Sequence, residues 1–222
     1  MALTDNLVSY WKLDEASGNA ADSVDGNTGV NTSVTYAAGK INNGAVFNGT
    51  SSVLNCGFGS NLNVTTAFTI FAWIKPASGM LSGTYKGIIR RGYWDYSIDI
   101  SNGKFLVAVN NAVYLADTIA LSADTWYLVT WVHDASGDYI YVNGSLSTSG
   151  NLPDVTTNSD LLRIGGSTGS DGTGWYGTDG MIDEARIWSR ALTSTEVTYL
   201  YNGGAGLAYP FTTNTGNFFA FF

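Results

Sequence analysis

The sequence predicts an all-β domain, a two-layer antiparallel sandwich with one short helix near the C-terminus. Three observations carry this. Short apolar or alternating runs recur with Gly, Asn, Asp and Ser between them, the pattern of strands joined by tight turns. Glycine is abundant at 27, proline scarce at 3, and aromatic residues reach 14%, a balance that suits many short strands. Two distant segments, residues 7–15 and 180–196, frame that run and place acidic residues at both ends of it. The stretch between them reads as one closed β domain, and 222 residues suffice for its core without disulfides.

Taken in order, the first strand is predicted at 7–13, followed by a polar, glycine-containing loop at 22–29. Strands at 45–47 and 52–54 flank the turn residues Asn48-Gly49. Residues 68–74 form the clearest strand, ending at Lys75-Pro76 because proline cannot donate to a central ladder. Phe68, Ile70, Ala72 and Ile74 make one face of it and Phe71 and Trp73 the other. Both faces are apolar, so this strand is expected to be covered on both sides.

Strands at 87–90, 96–100 and 105–110 follow, the last two joined through Asn102-Gly103, a hairpin signal. A short run at 113–115 and a hairpin of 126–133 with 139–142 come next, then strands at 161–164 and 181–188. Thr193-Ser-Thr-Glu196 is a capping box opening about two turns of helix, with Val197, Leu200 and Tyr201 as its apolar stripe and Gly203 as its stop.

Composition excludes several functions. A net charge of −8 with 10 scattered basic residues argues against nucleic-acid and anionic-membrane binding and leaves a cation as the charge-compatible small partner. No stretch is long enough for a bilayer span, and no basic-then-apolar leader is present in the residues given. Cys56, the single cysteine, reads as a small buried residue. With one cysteine and one histidine, a Cys/His metal cage is unsupported.

Six segments in the same order resemble the laminin-G-like, concanavalin A-like lectin domain of bacterial and phage surface proteins. They are 7–15, 42–49, 68–76, 126–134, 139–144 and 181–192. The resemblance covers roughly residues 5–205, and the domain is drawn at 1–207, with an aromatic tail at 208–222. It implies a jelly-roll sandwich whose first and last strands lie side by side. It also implies a structural Ca²⁺ between the 22–27 loop and the acid opening the last strand, which places Asp22, Asn27 and Asp183 as ligands and Asp25 as a further one. The loop supplies the oxygens calcium prefers. The alternative is that Asp22 and Asp25 close Asx-turns while Asp183 or Glu184 pairs with Arg186 or Lys12.

Two loops combine aromatic rings with polar neighbours, as sugar recognition requires. Residues 90–95 contribute Tyr93, Trp94 and Asp95, beside Arg91, and residues 167–179 contribute Asp171, Trp175 and Tyr176. Each ring has packing in its own fold as an equal alternative. The Glu-x-Asp-x-x-Glu pattern of jelly-roll glucanases is missing; Asp95 with Asp99 and the pair Asp183-Glu184 are its nearest imitations. His133 has no nucleophile arrangement around it and reads as a strand residue, so no catalysis is expected.

The expected protein is therefore a non-catalytic, calcium-stabilised lectin-like domain on a virion or microbial surface, with glycan or host-surface carbohydrate as partner. Its rival is a structural decoration or fibre protein whose partner is another subunit, and glycoside hydrolysis is the third reading. The tail supports the rival, because Phe218, Phe219, Phe221 and Phe222 would be an aggregation hazard unless packed on a neighbour or on the domain itself.

Overall fold

In the computed structural model, residues 1–92, 95–110, 113–156, 160–166 and 176–211 are described. The strands run in chain order from β1 (Leu7–Trp11), β2 (Val30–Thr32), β3 (Thr35–Ala38), β4 (Asn43–Asn48) and β5 (Val53–Asn55) to β6 (Phe68–Pro76). They continue through β7 (Lys86–Arg91), β8 (Tyr96–Ser101), β9 (Lys104–Val109), β10 (Val113–Ala116) and β11 (Tyr127–Asp134). The last are β12 (Gly137–Val142), β13 (Ser145–Gly150), β14 (Leu162–Ile164) and β15 (Asp179–Trp188), followed by helix α1 (Ser194–Tyr201).

Among the described residues they form two antiparallel sheets. The first has eight strands in the order β13-β12-β11-β6-β15-β4-β3, with β1 also paired to β15; the second has seven, β10-β9-β8-β7-β14-β5-β2. The framing segments meet as the resemblance implied: Leu7 lies opposite Trp188 and Trp11 opposite Ala185.

Alternation along each strand builds the core between the sheets. Phe68, Ile70, Ala72 and Ile74 of β6 enter it, as do Ile98 and Ile100 of β8 and Phe105, Val107 and Val109 of β9. Cys56 and Trp131 are buried there too. The other face of β6 carries Phe71 and Trp73 into a second cluster with Tyr10, Leu128 and Trp188. Val197 and Leu200 of α1 and Phe211 roof that cluster, so β6 is covered on both sides.

The described start of the tail thus packs on its own domain, with Tyr209 edge-on to Tyr10 at 5.7 Å. Phe218, Phe219, Phe221 and Phe222 lie outside the described residues. Helix α1 opens on the expected box, with Thr193 Oγ1 accepting from the Glu196 amide at 3.2 Å and Glu196 accepting from the Thr193 amide at 2.8 Å. It ends as expected: Asn202 is the C-cap in the left-handed conformation (φ 50°) and Gly203 (φ 61°) follows at C′. Asn tolerates that region with little strain.

Beneath the tail, Arg186 holds the last strand to the first. Its guanidinium lies 4.5 Å from the Tyr10 ring, 4.7 Å from Phe71 and 5.1 Å from Phe211. It donates to Glu184 and, at 2.5 Å, to the Leu207 carbonyl. Tyr10 Oη donates to Glu184 at 2.5 Å.

Candidate functional site

Of the four residues expected around calcium, Asp22, Asp25 and Asn27 share one loop, and Asp183 does not join them. Asp22 lies along the edge of β1 remote from β15: the Ser23 amide donates to the Tyr10 carbonyl while β1 pairs β15 on its other side. Its carboxylate is already saturated. Oδ1 accepts from the amides of Tyr10 and Val24, both at 3.0 Å, and Oδ2 from the Asn27 amide at 3.1 Å and side chain at 3.2 Å. The bond to Val24 is the Asx-turn weighed against calcium.

Asn27 donates from its side chain to Ser9 Oγ at 2.8 Å, and its backbone carbonyl accepts from Trp11 Nε1 at 2.7 Å. Asp25 accepts from Asn61 at 2.6 Å. Asp183 Oδ2 accepts from the amides of Lys40 and Ile41 at 2.7 and 2.9 Å. Burial pushes Asp183 up to about 8, with the nearby Glu184 and Asp14 charges adding to the shift and the two amide bonds opposing it. No group of three or more His, Cys, Asp or Glu side chains is placed to hold a metal among the described residues. Asp183 is thus not brought together with Asp22, Asp25 and Asn27.

The two expected binding loops do meet, through their described ends. The second sheet turns its outer face away from the core, and Leu106 and Ala108 of β9 cluster there with Tyr85. Arg90 and Asp99 are fully buried and paired at 2.5 Å, and Ser97 Oγ donates to Asp99 at 2.6 Å. Tyr176, from the second loop, lies over the Arg90 guanidinium at 5.1 Å and edge-on to Tyr85 at 6.5 Å. Its carbonyl accepts from the Gly87 amide at 3.0 Å, and Thr178 Oγ1 donates to the Gly87 carbonyl at 2.5 Å, so β7 anchors the chain that carries the ring. Arg90 Nη2 also donates to the Tyr85 carbonyl at 3.1 Å. Burial raises the Asp99 pKa, with Arg90 and the Ser97 hydroxyl pulling the other way.

Beside Tyr85 an open groove of about 360 Å³ crosses β9 and β10 at the β8–β9 turn. Tyr85, Tyr114, Leu106 and Ala116 supply its apolar surface, and Thr84, Ser101, Asn102 and Lys104 its polar groups. Tyr114 is 55% exposed. Asn102 (φ 50°) and Gly103 (φ 70°) take positive φ in the two-residue turn, as the Asn-Gly signal predicted, and the Asn102 amide donates to the Gly83 carbonyl at 2.7 Å.

Of the six residues expected to touch a ligand, Tyr176 reaches this face. Asp95 does not: it is 3% exposed and sits at the β7–β8 turn, the length of β8 away from the groove. Arg91, its neighbour, is also buried and donates to Asn63. Tyr93, Trp94, Asp171 and Trp175 lie outside the described residues. Tyr85, Asn102, Lys104 and Tyr114 escaped the sequence reading. The signal for them was strand alternation, since Lys104 and Leu106 share a face opposite to Phe105, and Tyr114 lies opposite Ala108.

His133 is confirmed as a buried strand residue. Its Nδ1 lies 2.9 Å from Asp138 and its Nε2 3.3 Å from Asp154, and its ring stacks on Phe68 at 4.9 Å. Asp138 also accepts from Trp131 Nε1 at 2.8 Å and from the Leu152 amide at 2.6 Å.

Two packed antiparallel sheets with adjacent first and last strands define a lectin-like β-sandwich. A family model described as the concanavalin A-like lectin/glucanases superfamily matches residues 48–198, and the chain belongs to that superfamily. Comparison with curated proteins gives no match.

Among solved structures, domain 4 of AbnA, a GH43 extracellular arabinanase of Geobacillus stearothermophilus in complex with arabinotriose, is similar over 87% of this chain and 97% of its own. The TM-score is 0.66 and the identity 22%. The binding domain of Paraclostridial Mosquitocidal Protein 1 is similar over 91% of this chain and 53% of its own (TM-score 0.71, 18% identity). The receptor-binding domain of the botulinum neurotoxin C/D mosaic serotype is similar over 90% and 51% (TM-score 0.70, 16% identity). The chain therefore spans about half the length of those toxin domains. At these identities the likeness shows the fold.

Proposed function

We propose that the protein is a non-catalytic carbohydrate-binding domain whose binding face is the outer face of the second sheet around Tyr85, Tyr114 and Tyr176. The observation that carries this reading is the open groove flanked by tyrosines and rimmed by hydroxyl and amide groups. Rings take up the apolar faces of a sugar, and convergent polar groups fix its hydroxyls. The arabinotriose complex of the similar arabinanase domain supports the ligand class. Superfamily membership supports it more broadly. Hydrolysis would need two carboxyl groups flanking the ligand, and the groove is lined by none among the described residues. Display on a microbial or virion surface belongs to the same reading; its support is the low content of charged residues, 13%.

Glycan-array binding tests it. Wild-type protein is expected to bind a defined set of glycans, with Tyr85→Ala and Tyr114→Ala each weakening binding roughly tenfold, the worth of a well-placed aromatic contact. Glycan binding that survives both substitutions unchanged would move the site elsewhere. No binding to any glycan would end the reading in favour of a protein partner.

A further inference from the structure

The groove carries a charge that the rest of the chain does not. The protein has 18 acidic and 10 basic residues, a net charge of −8. Yet among the described residues the groove is lined by one cation, the exposed Lys104, and by no carboxylate. Two acids close to it in the chain are buried and bonded elsewhere. Asp99 is buried and paired with Arg90. Asp117, next after β10, is buried, and its Oδ1 accepts from Ser147 at 2.5 Å and Thr148 at 3.3 Å. A neutral sugar needs no ammonium group in its site, and a cation there with no described carboxylate beside it favours a ligand that carries its own negative charge.

From this charge complementarity we infer that the groove takes an acidic sugar, a pyranose bearing a carboxylate, with Lys104 as its counter-ion. The inference rests on the carbohydrate reading and specifies the ligand. Tyr114 and Ala116 offer apolar contact to the C–H face of the ring, and Asn102 and Ser101 offer hydrogen bonds to its hydroxyls. The site is held in place from behind. Arg90, fixed by Asp99, bonds the Tyr85 backbone, and the Asn102-Gly103 turn is tied to Gly83. Little of the binding energy is therefore needed to order those parts. A volume of about 360 Å³ is at the small end for a ligand site, the size of one or two sugar rings rather than a long chain.

The test is calorimetric titration of the full chain with tri-galacturonate, sialyllactose and neutral cello- and arabino-oligosaccharides, using wild type, Lys104→Gln and Lys104→Arg. The first two ligands separate a uronate from a sialate source of the same carboxylate. Lys104 is exposed, so both variants are expected to melt like wild type. Lys104→Gln should weaken binding of the acidic ligand roughly three- to tenfold, the worth of a charge-assisted hydrogen bond in a partly solvated site, and leave neutral ligands unchanged. Lys104→Arg should restore it, and added salt should weaken the acidic ligand alone.

If neutral and acidic glycans bind equally and Lys104→Gln changes neither, the charge inference is overturned and the carbohydrate reading stands. If no glycan of either kind binds, both fail.

Discussion

Replacing Arg90 by Met tests whether the buried ion pair beneath the candidate site holds it together. Arg90 and Asp99 are both fully buried, 2.5 Å apart, and Asp99 keeps one other described bond, from Ser97 at 2.6 Å. Removing one partner of a buried pair leaves an uncompensated charge, at a cost of about 3–5 kcal/mol. In a domain of this size each kcal/mol moves the midpoint roughly 2–4 °C, so Arg90→Met should melt roughly 6–20 °C below wild type at pH 7.

The loss should also depend on pH. Burial already raises the Asp99 pKa and Arg90 is its main restraint, so the variant carries it higher still. A carboxyl whose folded pKa lies above its unfolded value favours folding in the protonated form, a contribution lost as pH rises through the folded value. The penalty should therefore be greatest at neutral pH and shrink towards the unfolded carboxylate range near pH 4.

The double variant Arg90→Met, Asp99→Leu removes both charges and should recover most of the stability, because buried pairs contribute little over apolar replacements. It should not recover glycan binding, since the bond from Arg90 to the Tyr85 carbonyl is gone. Denaturant unfolding across pH, alongside array binding, reads all of this. A single-variant loss below about 1 kcal/mol, or a double variant as unstable as the single, would refute the reasoning.

Two further outcomes are expected. Burial draws the His133 pKa down, but the bonds and charges of Asp138 and Asp154 outweigh it, leaving it raised. Its contribution to stability is thus complete below about pH 6.5 and lost as pH rises through the folded value, so His133→Gln should flatten the stability profile there; an unchanged slope would show that these pairs do not titrate. Because the Asp22 carboxylate is saturated and Asp183 lies across β1 from it, the melting temperature should be the same in calcium and in chelator. A rise of roughly 5–10 °C with calcium, as saturating a native-state site would give, would mean that other oxygens hold an ion.

The legible part of the fold was the part whose chemistry is periodic. β6 carries apolar residues on both faces, and the structure covers both. The Asn102-Gly103 and Thr193–Glu196 signals are local, and each closed the turn or cap it specified. Three strands left no mark, β2, β3 and β13, and each ends a sheet. Residues 145–150 are Ser, Leu, Ser, Thr, Ser and Gly, largely exposed, and their place in the ladder comes from pairing with β12. An edge strand with one free side needs no apolar face, and polar edges discourage pairing with other chains.

The candidate site was less legible because neither loop makes it alone. Tyr176 was chosen for its ring, but its place over Arg90 depends on the carbonyl bond to Gly87, a contact across 89 positions that no local pattern encodes. Asp95 looked like a sugar ligand by proximity to aromatic residues, yet it lies one position before β8, where the chain turns into the sandwich and buries it. Tyr85 and Lys104 carry no local signal, and the hairpin and the strand pairing set them beside the same groove. Calcium illustrates the same physics with the opposite sign. Acidic residues 22–27 and 183 were set around one ion by resemblance, but β1, the strand that unites the ends of the domain, runs between them. The close pairing of the framing segments that made the fold recognisable is therefore what separates the expected ligands.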